Sequence, residues 1–596
     1  MTVPSQPDSG EVPPLSPHGK RARSEITRLL CAGVYLQPFF RHRVVKELVE
    51  HDERAVAPSA DVDVETVLAH ALRAGRLGLR AGRRVAFLWV LFLVVDLGGG
   101  KFGWMTDWSL ARAYDLTAPE DGPERLVNFV QLCPEFMPDL FDSLEPGKGT
   151  WVLAYSVVSV LMWLVQALSR RFDAHTGSSL PLGNRGVLMH TLFIPGVLLT
   201  AYWWAAVTAV WNNSANWAAV VFPLLLSVPV RAHRRAVGKV LRERFDEETF
   251  GQQPREEVTG SARLQSIGEA IRQEQHSRIA LYDLDHPFAG QGQFTESWSL
   301  VMDLEPKPGT VVSDPVTTPE ALDAIRQKVA DLARTTGATR SRDRLGEVEI
   351  DEMVCLPAGP PRHRIDHREA TTTAHLVASA GEGGEARRHF LRVRLSAWDS
   401  QMVVSVLVRV HTQGELLALE VAPHVLAPLK PKFRLLDDII ERDRDLSLVS
   451  AVQTLLAAPA ASLAAVFSAA DSARSCAVRA KGRFKRHDPL EVTPSNGPRT
   501  SVREMASQQT LSPFQAMDAE RYLRTLQERI GTGLLQLLDK KGYDTKELKQ
   551  QVVQVNSGGV YISSMQGGAV ATGRGATARN IGRQSRRRSP ASPQGR

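Results

Sequence analysis

The stretch VLMHTLFIPGVLLTAYWWAAVTAVWNNSANWAAVVFPLLLSVPV, Val187–Val230, runs for 44 residues without a formal charge. A helix needs about 20 apolar residues to cross the hydrocarbon core of a bilayer, so this segment is too long for one span. The polar hexapeptide WNNSAN, Trp211–Asn216, divides it and predicts two helices joined by a tight turn. Pro195, Pro223 and Pro229 are compatible with that reading, because neighbouring helices and waters satisfy the carbonyls that proline frees. Upstream, Trp151–Leu168 is also uncharged and carries Trp151 and Tyr155 at one end, where aromatic rings favour the membrane interface. The first candidate is the weakest: only Val85–Val95 is uninterrupted before Asp96, Gly98–Gly100 and Lys101. The sequence thus predicts an α-helical bundle of four spans at Val85–Gly103, Trp151–Leu168, Val187–Val210 and Trp217–Val230.

Charge gives that bundle an orientation. Arg73, Arg76, Arg80, Arg83 and Arg84 precede the first span, whereas residues 99–150 hold nine Asp/Glu against four Lys/Arg. Arg170, Arg171 and Arg185 outweigh Asp173 after the second span, and Arg231, Arg234, Arg235, Lys239, Arg242 and Arg244 follow the last. Basic loops stay cytoplasmic. The expectation is a multi-pass protein of the inner (plasma) membrane with both termini cytoplasmic and residues 104–150 outside. The opening residues are Pro- and Ser-rich without an apolar core, so no cleaved signal peptide is expected. The net charge of +7 is carried largely by the span flanks and the basic end of the chain. It points to lipid bilayer contact, and nucleic acid is not an expected partner. Cys31, Cys133, Cys355 and Cys476 are too scattered to imply a disulfide framework or a thiol metal site.

Outside the spans the chain divides by pattern. Residues 1–20 read as a disordered leader and 21–84 as a helical region, with Asp61 or Asp63 capping its last helix. In the outside loop, LVNFVQLCPEFMPDLFDSL forms an apolar lid on the bundle or lies on the outer membrane surface. A basic helix and linker occupy 231–275. From 276 to 425 the period changes: RIALYDL, SWSLVMDL, GEVEIDEMVC, HFLRVRLSAW, QMVVSVLVRV and ELLALEVAP all alternate like strands. With the helix Pro319–Thr336 they predict a cytosolic α+β domain, its sheet mainly antiparallel and its last two strands a hairpin turning at Thr412–Gly414. Residues 432–480 read as an Ala-rich helical region. Leu446–Ala470 is uncharged, but alanine contributes little insertion energy, so it is not expected to cross. A basic linker, 481–511, leads to an amphipathic segment, 512–550, in which Leu523, Leu526, Ile530, Leu534, Leu537 and Leu538 share one face. Residues 551–596 are a Gly-rich tail, VNSGGVYISSMQGGAVATGRGATARN, with a basic disordered end; the helix or the tail is a candidate for self-association or for a protein partner.

The strings YDLDHPFAGQGQFTESWSLVMDL and RLLCAGVYLQPFF…AVAPSADVDVETVLAHALRA resemble actinobacterial multi-pass membrane proteins with a PF-x-G-x-G…W-S soluble domain. The RHFLRVRLSAWDSQMVVSVLVRV…LLALEVAPHVLAPL stretch resembles the later half of that domain. The tail resembles the glycine-rich ends of some bacterial conflict and signalling proteins. This resemblance implies the domain layout and an inner-membrane setting, and no activity.

Several residue sets invite chemistry. Asp283, Asp285 and His286 offer divalent-metal ligands, but Pro287 ends the strand that would align them, so a solvated strand end is expected. Gly290 and Gly292 set a tight turn; a phosphate cradle would need a helix to start there, and a strand follows. His363 and His367 have zinc-like helical spacing inside a polar loop. The Glu145–Thr150 string imitates part of a P-loop but ends Lys-Gly. Asp96 and His190 are the ionisable residues of the spans and are expected near the interfaces, with Gln166 adding little. Transport would require more midplane polar residues and internal repeats. No catalytic, cofactor-binding or metal-ligating residue is assigned, and no cofactor is expected. The sequence favours a membrane-anchored, non-enzymatic scaffold or sensor. The alternatives are a membrane-perturbing or pore-forming effector controlled by the cytosolic domain, and an enzyme built around Asp283, Asp285 and His286.

Overall fold

A computed structural model of the chain describes residues 24–98, 150–176, 185–275, 277–295, 297–309, 314–337, 348–358, 374–376, 387–397, 401–442, 448–482 and 497–550. Helices α1 (Glu25–Leu36), α2 (Pro38–Val45), α3 (Val64–Gly98), α4 (Thr150–Thr176), α5 (Arg185–Asn212), α6 (Ala218–Phe245) and α7 (Ala262–Glu274) come first. Strands β1 (Ile279–Tyr282), β2 (Gln293–Phe294) and β3 (Trp298–Asp303) precede α8 (Thr318–Gly337). Then come β4 (Val348–Pro357), β5 (Arg388–Ala397), β6 (Met402–Gln413) and β7 (Leu416–Leu426). Helices α9 (Leu436–Arg442), α10 (Leu448–Gly482), α11 (Val502–Ala506) and α12 (Pro513–Lys541) complete the order. Two compact units result: Met1–Arg54, Asp61–Arg272 and Lys430–Val492 form a helical unit, and Ala55–Ala60, Gln273–Leu429 and Thr493–Arg596 form an α+β unit. The leader, residues 104–149 of the outside loop, which include the Glu145–Gly149 part of the P-loop-like string, His363, His367 and the Gly-rich tail lie outside the described residues, as do the side chains of Gln166 and His190.

In the helical unit, short polar residues set the starts. The Ser24 hydroxyl accepts from Thr27 N at 3.1 Å and begins α1. Asp63, not Asp61, caps α3: its Oδ1 accepts from Thr66 N at 3.4 Å, while Thr66 Oγ1 donates to Oδ2 at 3.0 Å. Asp61 instead takes the left-handed conformation, φ 56°, which aspartate tolerates better than most residues, and its carbonyl accepts from Ser24 Oγ at 2.5 Å. The break in the long apolar stretch falls in the expected hexapeptide, where α5 ends at Asn212 and a single 3₁₀ turn, Ser214–Trp217, leads into α6.

The structure overturns the four-span bundle. Among the described residues only one helix, Ser214–Phe245, is long and apolar enough to cross a membrane, at mean hydropathy 1.4. The first predicted span belongs to α3, one continuous 35-residue helix that carries five arginines, Arg73 to Arg84, before its apolar part. Its apolar run is therefore short. Of the second, the described side chains cover the apolar stretch Thr150–Val165, shorter than the roughly 20 residues a crossing requires. Apolar helices also pack on one another, so an apolar stretch alone does not make a span. The chain is an α+β protein with a helical unit containing one candidate membrane helix.

The Ala-rich helix α10 belongs to the helical unit. Ala460 is buried with Val85, Phe92, Trp151, Tyr155 and Phe222. A Cβ on Gly82 would lie 2.4 Å from Ala469 Cβ and 2.7 Å from the Ala465 carbonyl, so α3 and α10 meet nearly backbone to backbone. Small residues permit that approach, which is what the alanines of α10 supply.

The α+β unit is built on a seven-stranded mixed sheet in the order β1-β4-β5-β6-β7-β2, with β3 also on β7. Among the described strands only β1 and β4 are parallel; the other pairings are antiparallel. The β6–β7 hairpin turns on Gly414 and Glu415, with Gly414 at φ 61°, as a two-residue turn with glycine first requires. Alternation places Leu391, Val393, Leu395, Val404, Val406, Val408, Leu417 and Leu419 in one core with α8 and α12. There the apolar face of α12 is consumed: Leu526, Ile530, Leu534 and Leu538 are fully buried. The sheet also needs a strap from far upstream, since Ala60 packs with Val403 and Leu426, and Val56 N donates to Glu274 at 2.9 Å.

Candidate membrane-facing surface

Four helices of the helical unit are apolar on two sides at once. On α3, Val85 and Phe92 point into the core with Leu88 and Trp89, while Phe87, Val90, Val94 and Leu97 follow helical spacing on the outward side. Phe87 is 67% exposed. On α4, Trp151, Tyr155, Val158 and Met162 are buried, and Leu153, Val157, Val160, Leu161 and Leu164 face out. On α6, Phe222 and Leu226 are inward, and Val221, Leu224, Leu225 and Val228 are outward. Helix α5 adds Trp204, Val207 and Trp211, the last 89% exposed. A helix apolar all round is buried in protein or in lipid, and contiguous outward apolar surface marks an interaction site.

The core beneath this surface is aromatic. Phe92 stacks on Phe222 at 4.8 Å between ring centroids, and Tyr155 meets Tyr202 at 5.2 Å. At one end, polar groups close on each other. Asp96 Oδ2 accepts from Val152 N at 2.9 Å, the Trp151 indole donates to Asn216 Oδ1 at 2.9 Å, and Asn216 Nδ2 donates to the Ala209 carbonyl at 3.2 Å. Asp96 is thus the cap of the next helix, buried and partnered, and the WNNSAN turn supplies the asparagine that ties the end together.

Elsewhere in the helical unit, a charged clamp joins distant segments. Glu256 Oε1 accepts from Arg73 and Arg244, each at 2.5 Å, while its Oε2 lies 3.1 Å from His70 Nδ1. Burial pushes His70 down to about 4 against the pull of Glu256, with Arg244 and Arg73 adding to the depression. Arg28, almost wholly buried, donates to Asp437, Glu25 and the Phe245 carbonyl. Glu65 holds Arg255 and Arg272. Single arginines and glutamates in the sequence carried no signal of this convergence, because Arg73–Glu256, Glu65–Arg272 and Arg28–Asp437 join residues 183, 207 and 409 positions apart.

The α+β unit separates the residues that looked catalytic. Asp283 turns inward and caps its own turn, accepting from Asp285 N at 2.9 Å, whereas Asp285 and His286 are exposed. Among the described residues, no group of three or more His, Cys, Asp or Glu side chains could hold a metal ion. The glycines after them do form a cradle. The N–H groups of Gly290 (φ 93°) and Gly292 (φ 95°) both donate to Glu504 Oε1, at 2.8 and 2.9 Å. The anion in that cradle is the chain's own carboxylate, whose Oε2 also accepts from Ser501 N in the capping box of α11.

On the sheet face opposite the main core, β5 alternation sets out Arg392 and Arg394. Arg394 pairs with Glu349 at 2.8 Å, Arg392 with Asp351, and Arg409 with Glu420 at 3.4 Å. His424 lies among Phe288 and Phe294, at 4.8 and 5.3 Å, and burial pushes it down to about 4. Cys31 and Cys355 are buried free thiols; burial raises both, Cys355 to about 12. Neither thiol has the depressed pKa of a nucleophile.

No curated protein and no solved structure matches the chain. Residues 297–571, from the residue before β3 to beyond α12, match the family model of the AbeC-like domain.

Proposed function

We propose that this chain is a membrane-anchored, non-enzymatic scaffold or sensor. Its helical unit is held at a bilayer through the one candidate crossing helix, Ser214–Phe245, and the outward apolar face of α3, and its α+β unit is the working part. One observation carries the reading: Phe87, Val90, Val94 and Leu97 face outward from a helix whose opposite side is already packed in an aromatic core. In water each such half-exposed side chain forgoes part of the about 1.5–3 kcal/mol that full burial brings, and lipid recovers it. The candidate crossing helix, Ser214–Phe245, and its basic continuation through Arg231, Arg234 and Arg235 fit a bilayer with an anionic surface. A binding role for the α+β unit is favoured by how its polar groups are spent: Glu504 fills the glycine cradle, and the sheet arginines pair across strands.

The test is vesicle flotation of the full chain, purified in detergent and reconstituted with phosphatidylglycerol-containing lipid. The wild type floats, and a variant with Phe87, Val90, Val94 and Leu97 all replaced by serine floats several-fold less. A wild type that stays monodisperse and unbound after detergent removal sinks the proposal.

A further inference from the structure

The outward stripe of α3 does not end at Phe87. Followed back in steps of three and four residues, Leu97, Val94, Val90 and Phe87 are continued by Arg83, Arg80 and Arg76, all exposed. One face of one helix thus changes from large apolar side chains to arginines within about a turn. Helix α6 repeats the change in the opposite chain direction. Its outward Val221, Leu225 and Val228 give way to Arg231, Arg234 and Arg235, the last two exposed.

The two changes lie side by side. Phe92 stacks on Phe222 at 4.8 Å in the apolar halves, and Arg73 and Arg244 meet on Glu256 in the basic halves. Helices α3 and α6 therefore run antiparallel with like halves together, and their arginines form one collar along a border of the apolar surface. The other border carries no such charge. Neither Lys nor Arg stands between Val85 and Gly98 or between Val187 and Val230, and Asp96 and Asn216 close that end.

The protein leaves the collar's charge unanswered. Neither helix has an acidic residue between Thr66 and Val95 or between Ala218 and Arg242. Glu256 takes up Arg73 and Arg244. Among the described residues, no carboxylate pairs with Arg76, Arg80, Arg83, Arg231, Arg234 or Arg235. From Arg76 to Arg83 the helix rises about 10 Å, comparable to the roughly 5–8 Å of one headgroup layer. Guanidinium groups bind phosphate oxygens in pairs.

We infer that this collar binds the phosphate groups of anionic phospholipids, of the phosphatidylglycerol kind, in the leaflet it borders. The inference rests on the bilayer reading above and adds to it a lipid preference and the residues that set it. The occupant is a lipid because arginine and apolar side chains are continuous on the same helix faces, so one molecule meets its phosphate and its acyl chains about a turn apart.

The experiment reconstitutes the full chain in phosphatidylcholine vesicles holding a trace of chain-spin-labelled phosphatidylglycerol or phosphatidylcholine. The motionally restricted fraction of each label is read by electron paramagnetic resonance. Both labels should show a restricted component, with phosphatidylglycerol associating on the order of fivefold more strongly at low salt. The preference should fall to near equality in about 1 M NaCl and in the combined variant Arg76→Gln, Arg80→Gln, Arg83→Gln and Arg235→Gln, while restricted phosphatidylcholine persists. Equal association of the two lipids with the wild type, or a preference that survives the four substitutions, would overturn the inference and leave the bilayer reading standing. No restricted component from either lipid would overturn both.

Discussion

Glu504 shows how far a single residue can act beyond its neighbourhood. Its carboxylate receives the Gly290 and Gly292 amides, and neither glycine has room for a side chain. A Cβ would stand 2.0 Å from the Pro58 carbonyl at Gly290 and 2.5 Å from the Val425 carbonyl at Gly292. Glu504→Ala leaves two buried N–H groups unanswered and should cost about 2–4 kcal/mol in chemical denaturation, with Glu504→Gln retaining part of the stability. Gly292→Ala, strained at φ 95°, should cost at least as much. The turn at Pro287–Gly292 was legible from its prolines and glycines. Its anion was not, since Glu504 lies more than 200 positions away and nothing local marks it.

Histidine protonation adds an acid limit. His70 and His424 stand at about 4 in the folded chain, below the ordinary 6.5. The unfolded chain therefore binds protons that the native chain refuses. The stability each contributes is present above about pH 6.5 and is lost as pH falls through about 4, up to roughly 3 kcal/mol per group. His424→Phe keeps an aromatic ring beside Phe288 and Phe294, and should flatten the fall in stability of the α+β unit between pH 6.5 and 4. An unaltered pH profile would assign the acid sensitivity elsewhere.

At the scale of elements, local signals were readable and their destinations were not. Helix α12 announces itself in Ser512, Pro513 and Gln515, a capping box with proline at the first turn, and in Gly542, whose φ of 86° ends it. Ser512→Ala should lower stability by about 1 kcal/mol, and Leu534→Ala, deep in the sheet core, by about 2–5 kcal/mol. Comparison of the two by urea denaturation separates end effects from packing. The leucine stripe could be seen in the sequence, but not that it lies on β-strands rather than on a second copy. The same gap explains α10, whose alanines spelled helix while their use, close approach to α3 at Gly82, depended on a partner 380 residues upstream. Alternation likewise gave the long strands β5, β6 and β7. The parallel β1–β4 pair and the Ala55–Ala60 strap are non-local, and no periodicity carries them.

For the whole molecule, hydropathy misled in number and informed in kind. Four apolar stretches suggested four crossings, yet among the described residues one helix has the length and composition for it. What the stretches share is an apolar outward side, visible only once the inward sides are paired in the aromatic core of Phe92, Tyr155, Tyr202 and Phe222. That distinction decides what the helices are for. Bilayer contact at this surface is the central claim, and photolabelling of the full chain in vesicles with a lipid-tail diazirine, mapped by peptide, tests it most directly. The account predicts label on Phe87, Val90, Val94, Leu97, Leu153 and Val228, with little on Phe92, Trp151 or the α+β unit. Label spread evenly over both units, or absent from these outward residues, would contradict it.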